Sequence, residues 1–217
     1  MIRVFVQARM SSSRFPGKVL APFHGCPVIA HVVSEISKVT PVNRIVVATS
    51  THQSDDPLVG YLQQQGISVF RGPLENVFRR FQLCLNNYPC DWFIRISADS
   101  PLLDPDVILR MQSFSERIDL DIVTNVFPRT FPKGHSVEML NAVKFAKLDG
   151  NRLTPNQREH VTKFLYDNSE KFEIMNIAAK GPSQAHINLC IDTVEDLNRL
   201  QEYENYEDCE ANPRSIC

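Results

Sequence analysis

A loop near the start of the chain gathers positive charge and hydroxyl groups directly after an apolar run. The run Ile2–Val6 leads into the segment Gln7–Lys18. That segment contains three cationic side chains and three consecutive serines: Arg9, Arg14, Lys18, Ser11, Ser12 and Ser13. In α/β proteins, ligands bind at the carboxyl ends of strands, where loop amides and cations neutralise phosphate oxygens. The pattern matches neither a P-loop nor a G-x-G-x-x-G fingerprint. It predicts a polyphosphate site of another type, and the alternative is a solvated surface loop.

Two aspartates each follow a further apolar run. Asp99 comes after Trp92–Ile96, and Asp192 comes after Ile187–Ile191. If both runs are parallel strands, the two carboxylates meet at one edge of the sheet. There they would suit Mg²⁺, which binds one or two protein carboxylates together with phosphate oxygens and water. The alternative is that each aspartate caps the helix that follows it, an ordinary role where a strand leads into a helix.

The elements that must position these residues alternate along the chain. Apolar runs predict strands at Arg3–Val6, Arg44–Ala48, Ser68–Phe70, Trp92–Ile96, Ile122–Asn125 and Ile187–Ile191. Amphipathic periodicity predicts helices at Pro27–Val39, Pro57–Gln65, Leu74–Asn87, Pro105–Phe114, Pro155–Asp167 and Val194–Glu204. This alternation predicts an α/β fold, with a mostly parallel sheet covered by helices on both faces.

The segment 126–153 interrupts the alternation. It contains two prolines, a Lys133-Gly134 turn and an extended stretch at Ser136–Leu140. We predict a small insertion here that covers the edge of the site or makes a dimer contact. The acidic residues 205–217 are predicted to form a flexible tail. The whole chain, 1–217, is short enough to form a single domain.

Composition restricts the class of protein. Charged residues make up 22% of the 217 residues and the net charge is −2, which does not favour a nucleic-acid-binding protein. No apolar run approaches the roughly 20 residues that span a bilayer, and the first residues lack the pattern of a signal peptide. The cysteines and histidines have no metal-ligand spacing. We expect a cytoplasmic protein that binds neither membranes nor nucleic acid.

Several segments together resemble one known family. Residues 7–20 read QARMSSSRFPGKVL, which is similar to the QARMGSTRLPGKVL signature of the spore-coat polysaccharide cytidylyltransferase-like family. That family is related to the CMP-KDO and acylneuraminate cytidylyltransferases. Further matching segments follow in the family's order: Arg71-Gly72, Asn76–Phe81, Arg95–Pro105, Phe131–Gly134 with Glu138, Arg158–Thr162 and Ile191–Leu197. The resemblance therefore covers nearly the whole chain.

The resemblance implies a Rossmann-like nucleotidyltransferase fold and a homodimeric enzyme. Such an enzyme uses CTP and magnesium to transfer CMP to an acidic sugar, and it releases pyrophosphate. It implies that Asp99 and Asp192 hold the metal and that Arg9 and Lys18 act with Asp99 in catalysis. The residues implied for nucleotide binding are Gln7, Ala8, Arg9, Ser11, Ser12, Ser13, Arg14, Lys18, Thr49, Arg71 and Gly72. The residues predicted to contact the acceptor sugar are Lys133, Glu138, Arg158 and His160.

The chain also departs from the family pattern. Ser11 and Ala98 stand where the family has glycine, and a Cβ atom at either position could obstruct close approach of a phosphate. A second hypothesis is therefore a family member that binds nucleotide without catalysis. A third is a metal-dependent glycosyltransferase, because Asp119-Leu120-Asp121 has the D-x-D pattern, although it precedes an apolar run instead of following one.

Overall fold

A mostly parallel β-sheet forms the centre of the protein. The computed structural model describes residues 1–202, and within them seven strands form the main sheet. In chain order the strands are β1 (Ile2–Gln7), β2 (Pro22–Phe23), β3 (Cys26–Pro27), β4 (Ile45–Ser50), β5 (Ser68–Gly72), β6 (Trp92–Ser97), β7 (Ile122–Thr124), β8 (Glu138–Asn141) and β9 (Ile174–Asn176). The main sheet has the order β5-β4-β1-β6-β8-β7-β9, with β8 antiparallel to both neighbours. Strands β2 and β3 form a separate hairpin.

Helices cover both faces of the sheet. They are α1 (Val28–Ser37), α2 (Asp56–Gln64), α3 (Val77–Asn87), α4 (Pro105–Gln112), α5 (Ala142–Ala146), α6 (Pro155–Glu159), α7 (Lys163–Asp167) and α8 (Val194–Gln201). Apolar side chains of α1, α2 and α4 pack on one face, and those of α3, α5 and α7 pack on the other. The predicted α/β fold class is thereby confirmed.

The first strand shows why its sequence is continuously apolar. Val4 and Val6 belong to the core on one face of the sheet, whereas Phe5 belongs to the core on the other. Phe5 stacks on Phe93 of the neighbouring strand β6, with ring centroids 5.2 Å apart. A strand buried on both faces needs apolar residues at every position, so β1 is fixed in the middle of the sheet and its carboxyl end has a defined place.

Trp92 anchors the amino end of β6. Its side chain is buried, and its Nε1 donates a hydrogen bond of 2.9 Å to the Ser115 carbonyl oxygen. This bond satisfies the indole donor, which would otherwise be buried without a partner. The tryptophan therefore lies at the amino end of the strand whose carboxyl end leads to Asp99.

Some predicted elements are wrong in detail. The strand predicted at Ile187–Ile191 is not formed, because this segment makes only an isolated bridge between Asn188 and Lys133. The helix predicted over Pro155–Asp167 is two short helices, since the backbone of His160 is extended and separates α6 from α7. Strand β9 and the β2–β3 hairpin were not predicted.

The segment 126–153 is tied closely to the rest of the fold. Its residues 138–141 form β8, which lies between β6 and β7 in the main sheet. The Lys133 N–H donates to the Ile187 carbonyl oxygen, and the Leu189 N–H donates to the Lys133 carbonyl oxygen. Gly134 lies against Leu189 with a φ of +105°. The dimer contact stays a prediction, and the tail predicted over 205–217 lies outside the described residues. None of the helices within 1–202 is long and apolar enough to cross a membrane.

Candidate active site

The loop after β1 turns back on itself at Gly17. The Gly17 N–H donates to the Met10 carbonyl oxygen over 2.8 Å, and Gly17 has a φ of +77°. This left-handed conformation favours glycine, because a Cβ atom strains it. The turn brings Lys18, the next residue, under the carboxyl edge of the sheet.

Lys18 lies between the two aspartates singled out from the sequence. Its Nζ donates hydrogen bonds to Asp99 Oδ2 at 2.7 Å, to Asp192 Oδ1 at 2.9 Å and to the Ile191 carbonyl oxygen at 2.9 Å. Burial lowers the pKa of Lys18, but the charges and hydrogen bonds of Asp99 and Asp192 outweigh burial and raise the pKa above its ordinary value. Lys18 is therefore a cation held by two carboxylates.

The other two cations of the loop are also paired with carboxylates. Arg14 Nη2 lies 3.0 Å from Asp192 Oδ2, and Arg9 Nη2 lies 2.9 Å from Glu159 Oε1. The side chains of Arg14 and Arg9 are 63% and 35% exposed, so solvent and ligands can reach them. Pairs exposed to this degree contribute little to stability, and an anionic ligand can exchange with their carboxylates.

These residues surround one cavity of about 270 Å³. It is lined by Gln7, Ala8, Arg9, Ser12, Ser13, Arg14, Lys18, Val19, Ser97, Ala98, Asp99, His160 and Asp192. A cavity therefore lies where the sequence predicts a site, between the carboxyl end of β1, Asp99 and Asp192. Gln7 and Ser97 are the last residues of β1 and β6, which are paired in parallel.

The capping alternative for the two aspartates is wrong. Helix α8 is capped by Thr193, whose side chain accepts a hydrogen bond from the Asp196 N–H, and Asp196 completes a capping box. Helix α4 is capped by Asp104. Asp99 and Asp192 instead direct their carboxylates to Lys18. Their side chains are free of a capping role and lie in the cavity wall.

Four residues predicted for nucleotide binding are outside the cavity lining: Ser11, considered below, and Thr49, Arg71 and Gly72 at the carboxyl ends of β4 and β5. Thr49 is buried, and its hydroxyl donates to Asp55. Arg71 donates to the carbonyl oxygens of Ser50 and His52. A Cβ atom at Gly72 would lie 2.9 Å from Arg80 Cγ, so glycine is needed there for packing. These residues hold the loop after β4 in place.

The four residues predicted to contact the acceptor do not all line the same cavity. His160 lines the cavity, whereas Lys133 is exposed outside its lining. Arg158 donates to the Asn151 carbonyl oxygen and borders a second cleft. Glu138 is buried, and Arg95 and Tyr166 occupy its oxygens. In this arrangement Glu138 holds neighbouring side chains and does not face the cavity.

Ser11 and the D-x-D sequence have structural explanations. Ser11 is exposed, has no positive φ and does not line the cavity, so its Cβ atom does not narrow it. Asp119 pairs with exposed Arg117, and Asp121 accepts from the Glu173 N–H. Both aspartates precede β7, at the amino end of that strand. The D-x-D sequence is therefore not part of the candidate site.

Two carboxylates that support the site were missed by the sequence analysis. Glu159 binds Arg9, as described above. Asp55 is buried and accepts hydrogen bonds from the Met10 N–H, the Thr49 hydroxyl, and the Ser50 N–H and hydroxyl. Asp55 thus joins the loop after β1 to the end of β4. Its position after a predicted strand was the available signal, but its long-range partner Met10 could not be read from the pattern.

Asp55→Asn is expected to lower the free energy of unfolding by about 1.5–3 kcal/mol at pH 7, because an amide group cannot accept all four hydrogen bonds. Burial raises the pKa of Asp55, but the bonds from Ser50, Met10 and Thr49 outweigh it and lower the pKa. The stabilisation is therefore present above the unfolded pKa of about 3.9 and is lost as the pH falls through the folded pKa.

Urea unfolding of both proteins at several pH values tests this expectation. The stability difference should be constant near neutral pH and should shrink below about pH 4. Asp56→Asn is a matched control, because Asp56 is exposed and its pair with Arg71 is worth less than about 1 kcal/mol. Equal losses for the two variants would contradict the role assigned to Asp55.

Comparison with known proteins identifies the family. A family model described as cytidylyltransferase matches residues 3–213. The chain belongs to the cytidylyltransferase family. The resemblance found in the sequence is confirmed, and this cytidylyltransferase is a nucleotidyltransferase enzyme.

Individual relatives agree with this assignment. The cytidylyltransferase is 28% identical to the spore coat polysaccharide biosynthesis protein SpsF of Bacillus subtilis, over 92% of this chain and 85% of that protein. It is 32% identical to the 8-amino-3,8-dideoxy-manno-octulosonate cytidylyltransferase of Shewanella sp. strain ANA-3, over 54% of this chain and 48% of that protein. A solved cytidylyltransferase from Leptospira borgpetersenii matches with a TM-score of 0.87 and 28% identity, over 92% of this chain and 84% of that chain.

Proposed function

We propose that this enzyme transfers CMP from CTP to an acidic sugar, with magnesium, and releases pyrophosphate. The observation that carries the proposal is the position of Lys18 between Asp99 and Asp192, with Arg9 and Arg14 beside the same cavity. Three cations suit a triphosphate, and two carboxylates suit the metal that accompanies it. The homodimer and the cytoplasmic location stay predictions.

The residues present fit a magnesium ion. One oxygen of Asp99 and one of Asp192 contact the same Lys18 nitrogen, so a single cation can reach both carboxylates. Within residues 1–202 no group of three or more His, Cys, Asp or Glu side chains is arranged for a metal. A site with two carboxylates is what Mg²⁺ uses when phosphates and water complete its octahedral shell. Asp99 and Asp192 would hold the ion, which would neutralise charge on the phosphates.

The side chains of the cavity supply positioning and charge neutralisation. In the proposed reaction the oxygen of an acceptor hydroxyl attacks the α-phosphorus of CTP in line, the bond from that phosphorus to the β-phosphate oxygen breaks so that pyrophosphate leaves, and the hydroxyl proton passes to water. Lys18, Arg14 and Arg9 would bind the oxygens that gain negative charge, with the arginines as planar forks and the lysine as a point charge. Each first exchanges its present carboxylate partner for phosphate. Phosphoryl and nucleotidyl transfers need little covalent help from protein groups, which fits this set of residues.

The acceptor is proposed to be a sugar acid. The curated relative from Shewanella is named for an octulosonate, which is such a compound. His160 lines the cavity, which supports the proposal that it contacts the acceptor. Two further cations could bind the acceptor carboxylate: Arg129, which donates to the Ser136 hydroxyl, and Lys133, which is exposed outside the cavity lining.

Pyrophosphate release tests the proposed function directly. The protein is incubated with Mg²⁺, each of the four nucleoside triphosphates, and a panel of acidic sugars matched to their neutral counterparts. We expect release only with CTP and an acidic sugar, and we expect a chelator to abolish it. Binding of CTP without release for any acceptor would favour the non-catalytic alternative. Release with a neutral sugar would overturn the proposed acceptor class.

Lys18→Ala is expected to weaken CTP binding by roughly 1–3 kcal/mol, the scale of a charge-assisted hydrogen bond. The variant also leaves Asp99 and Asp192 without their shared cation, which adds repulsion toward phosphate. Calorimetric titration with CTP measures the change. Lys38→Ala is the control, because exposed Lys38 pairs with Glu35 on α1 and does not line the cavity. Unchanged CTP binding in Lys18→Ala would remove Lys18 from the nucleotide site.

A further inference from the structure

A row of polar side chains crosses one face of the sheet at its carboxyl edge. Gln7 Oε1 accepts hydrogen bonds from Arg95 Nη2 at 2.8 Å and Nε at 3.2 Å. Arg95 Nη1 in turn donates to Glu138 Oε2 at 2.5 Å. The strand register places Arg95 of β6 and Thr124 of β7 directly opposite Glu138 of β8. The row therefore joins β1 to β7 across the sheet.

The outer end of the row is closed by Tyr166 of α7. Its hydroxyl donates to Glu138 Oε1 at 2.6 Å and lies 2.8 Å from the Thr124 hydroxyl. Phe127 stacks on the Tyr166 ring, with centroids 4.8 Å apart. Burial and the neighbouring Glu138 carboxylate raise the pKa of Tyr166, so the phenol stays protonated and donates. Both oxygens of Glu138 are thus occupied, and its charge balances that of Arg95.

This arrangement sets the direction of the Gln7 amide group. A guanidinium group has donors and no acceptor, so the Gln7 atom that contacts Arg95 must be the oxygen. The Nε2 group is then on the other side of the amide, and Gln7 lines the cavity. Among the residues that the structure describes, no hydrogen bond occupies Nε2. Gln7 therefore presents a neutral, preoriented donor to whatever fills the cavity.

We propose that Gln7 Nε2 donates a hydrogen bond to a carboxylate or hydroxyl oxygen of the acceptor sugar, with Arg95 and Glu138 as positioning residues. This inference rests on the proposed function. The Gln7 side chain turns toward β6, whereas Thr49 and Arg71, which the resemblance implies for nucleotide binding, are on β4 and β5 on the other side of β1. The phosphates have Arg9, Arg14 and Lys18 as their own donors.

Gln7→Glu is the sharpest variant, because a carboxylate of the same shape keeps an acceptor for Arg95 and removes the donor toward the cavity. Its second oxygen is expected to repel an oxygen of the acceptor. We expect KM for the acceptor sugar to rise at least tenfold, with KM for CTP and the melting temperature nearly unchanged. Steady-state pyrophosphate release, with each substrate varied in turn, measures both constants.

Glu138→Gln tests the positioning role. The amide keeps the shape of Glu138 but loses the charge that holds Arg95, so Gln7 becomes less well oriented. We expect KM for the acceptor to rise about three- to tenfold, with kcat and KM for CTP changed less than twofold. A merely structural role would lower stability and affect both substrates alike. For Gln7→Glu the matched control is Gln112→Glu, because Gln112 on α4 bonds Thr40 and is not part of the row.

The outcomes separate this inference from the proposed function. If the unmodified enzyme turns over an acidic sugar and Gln7→Glu leaves its KM unchanged, only the inference is overturned. A rise in KM for CTP alone would overturn it too, by placing Gln7 against the nucleotide. If the unmodified enzyme neither binds nor turns over any acidic sugar in the presence of CTP, the proposed function fails, and the inference fails with it.

Discussion

Asp99→Asn is expected to lower kcat at saturating CTP and Mg²⁺ at least a hundredfold, which corresponds to roughly 3 kcal/mol of barrier. A neutral amide is a poorer ligand for magnesium and leaves the triphosphate charge less compensated. Asp192→Asn is expected to have a loss of similar size. In both variants an amide oxygen can still accept the hydrogen bond of Lys18, so the melting temperature should change little.

Asp119→Asn provides the comparison for this pair of variants. Asp119 is exposed and lies at the amino end of β7, paired with Arg117. It should retain full turnover. Circular dichroism melting, together with turnover across a range of Mg²⁺ concentrations, distinguishes loss of metal binding from loss of fold. Near-normal magnesium-dependent turnover in both Asp99→Asn and Asp192→Asn would show that the two carboxylates only bind Lys18.

Gly134→Ala is expected to lower the free energy of unfolding by about 2–5 kcal/mol, the sum of a strained backbone and a steric clash. Gly134 has a φ of +105°, and an added Cβ atom would lie 2.9 Å from the backbone carbon of Leu189. Backbone cannot move aside as a flexible side chain can. The clash would push away the segment that leads to Asp192, so turnover should fall as well.

Gly181→Ala isolates the backbone contribution. Gly181 has a φ of +85°, but an added Cβ atom there meets nothing within 4 Å. Gly181→Ala should therefore lower the free energy of unfolding by about 1–2 kcal/mol, from conformational strain alone. The turnover of this variant should be unchanged. Chemical unfolding of both variants gives the difference that is due to the contact with Leu189. Equal losses of unfolding free energy in the two variants would mean that Gly134 is not in close contact with Leu189.

The central strands, and the edge of the sheet that carries the site, could be predicted because their sequence patterns are local. A continuously apolar run such as Ile45–Ala48 indicates a strand buried on both faces. Once β1 and β6 are strands of a parallel sheet, the residues that follow them must lie at one edge, which places Lys18 and Asp99 together. Asp192 was predicted from the apolar run before it and was also implied by the family resemblance, although that run does not form a strand.

The remaining features depend on contacts between distant parts of the chain. Glu159 meets Arg9 only because α6 packs against α3 beside the carboxyl edge of the sheet. Glu138 was predicted to contact the acceptor, but the antiparallel pairing of β8 places it opposite Arg95 and buries it. The pattern around residue 138 carries no information about which strand it will join.

The position of Trp92 allows its fluorescence to report the unfolding of the chain. It is the single tryptophan of the sequence, it is 2% exposed, and its indole donor is satisfied by Ser115. A buried indole emits at shorter wavelength than one in water, so unfolding should shift the emission to the red. The indole lies at the amino end of β6, and the cavity lies beyond its carboxyl end. Intrinsic fluorescence should therefore follow the folding of the sheet in every variant, because the indole is not in contact with the cavity.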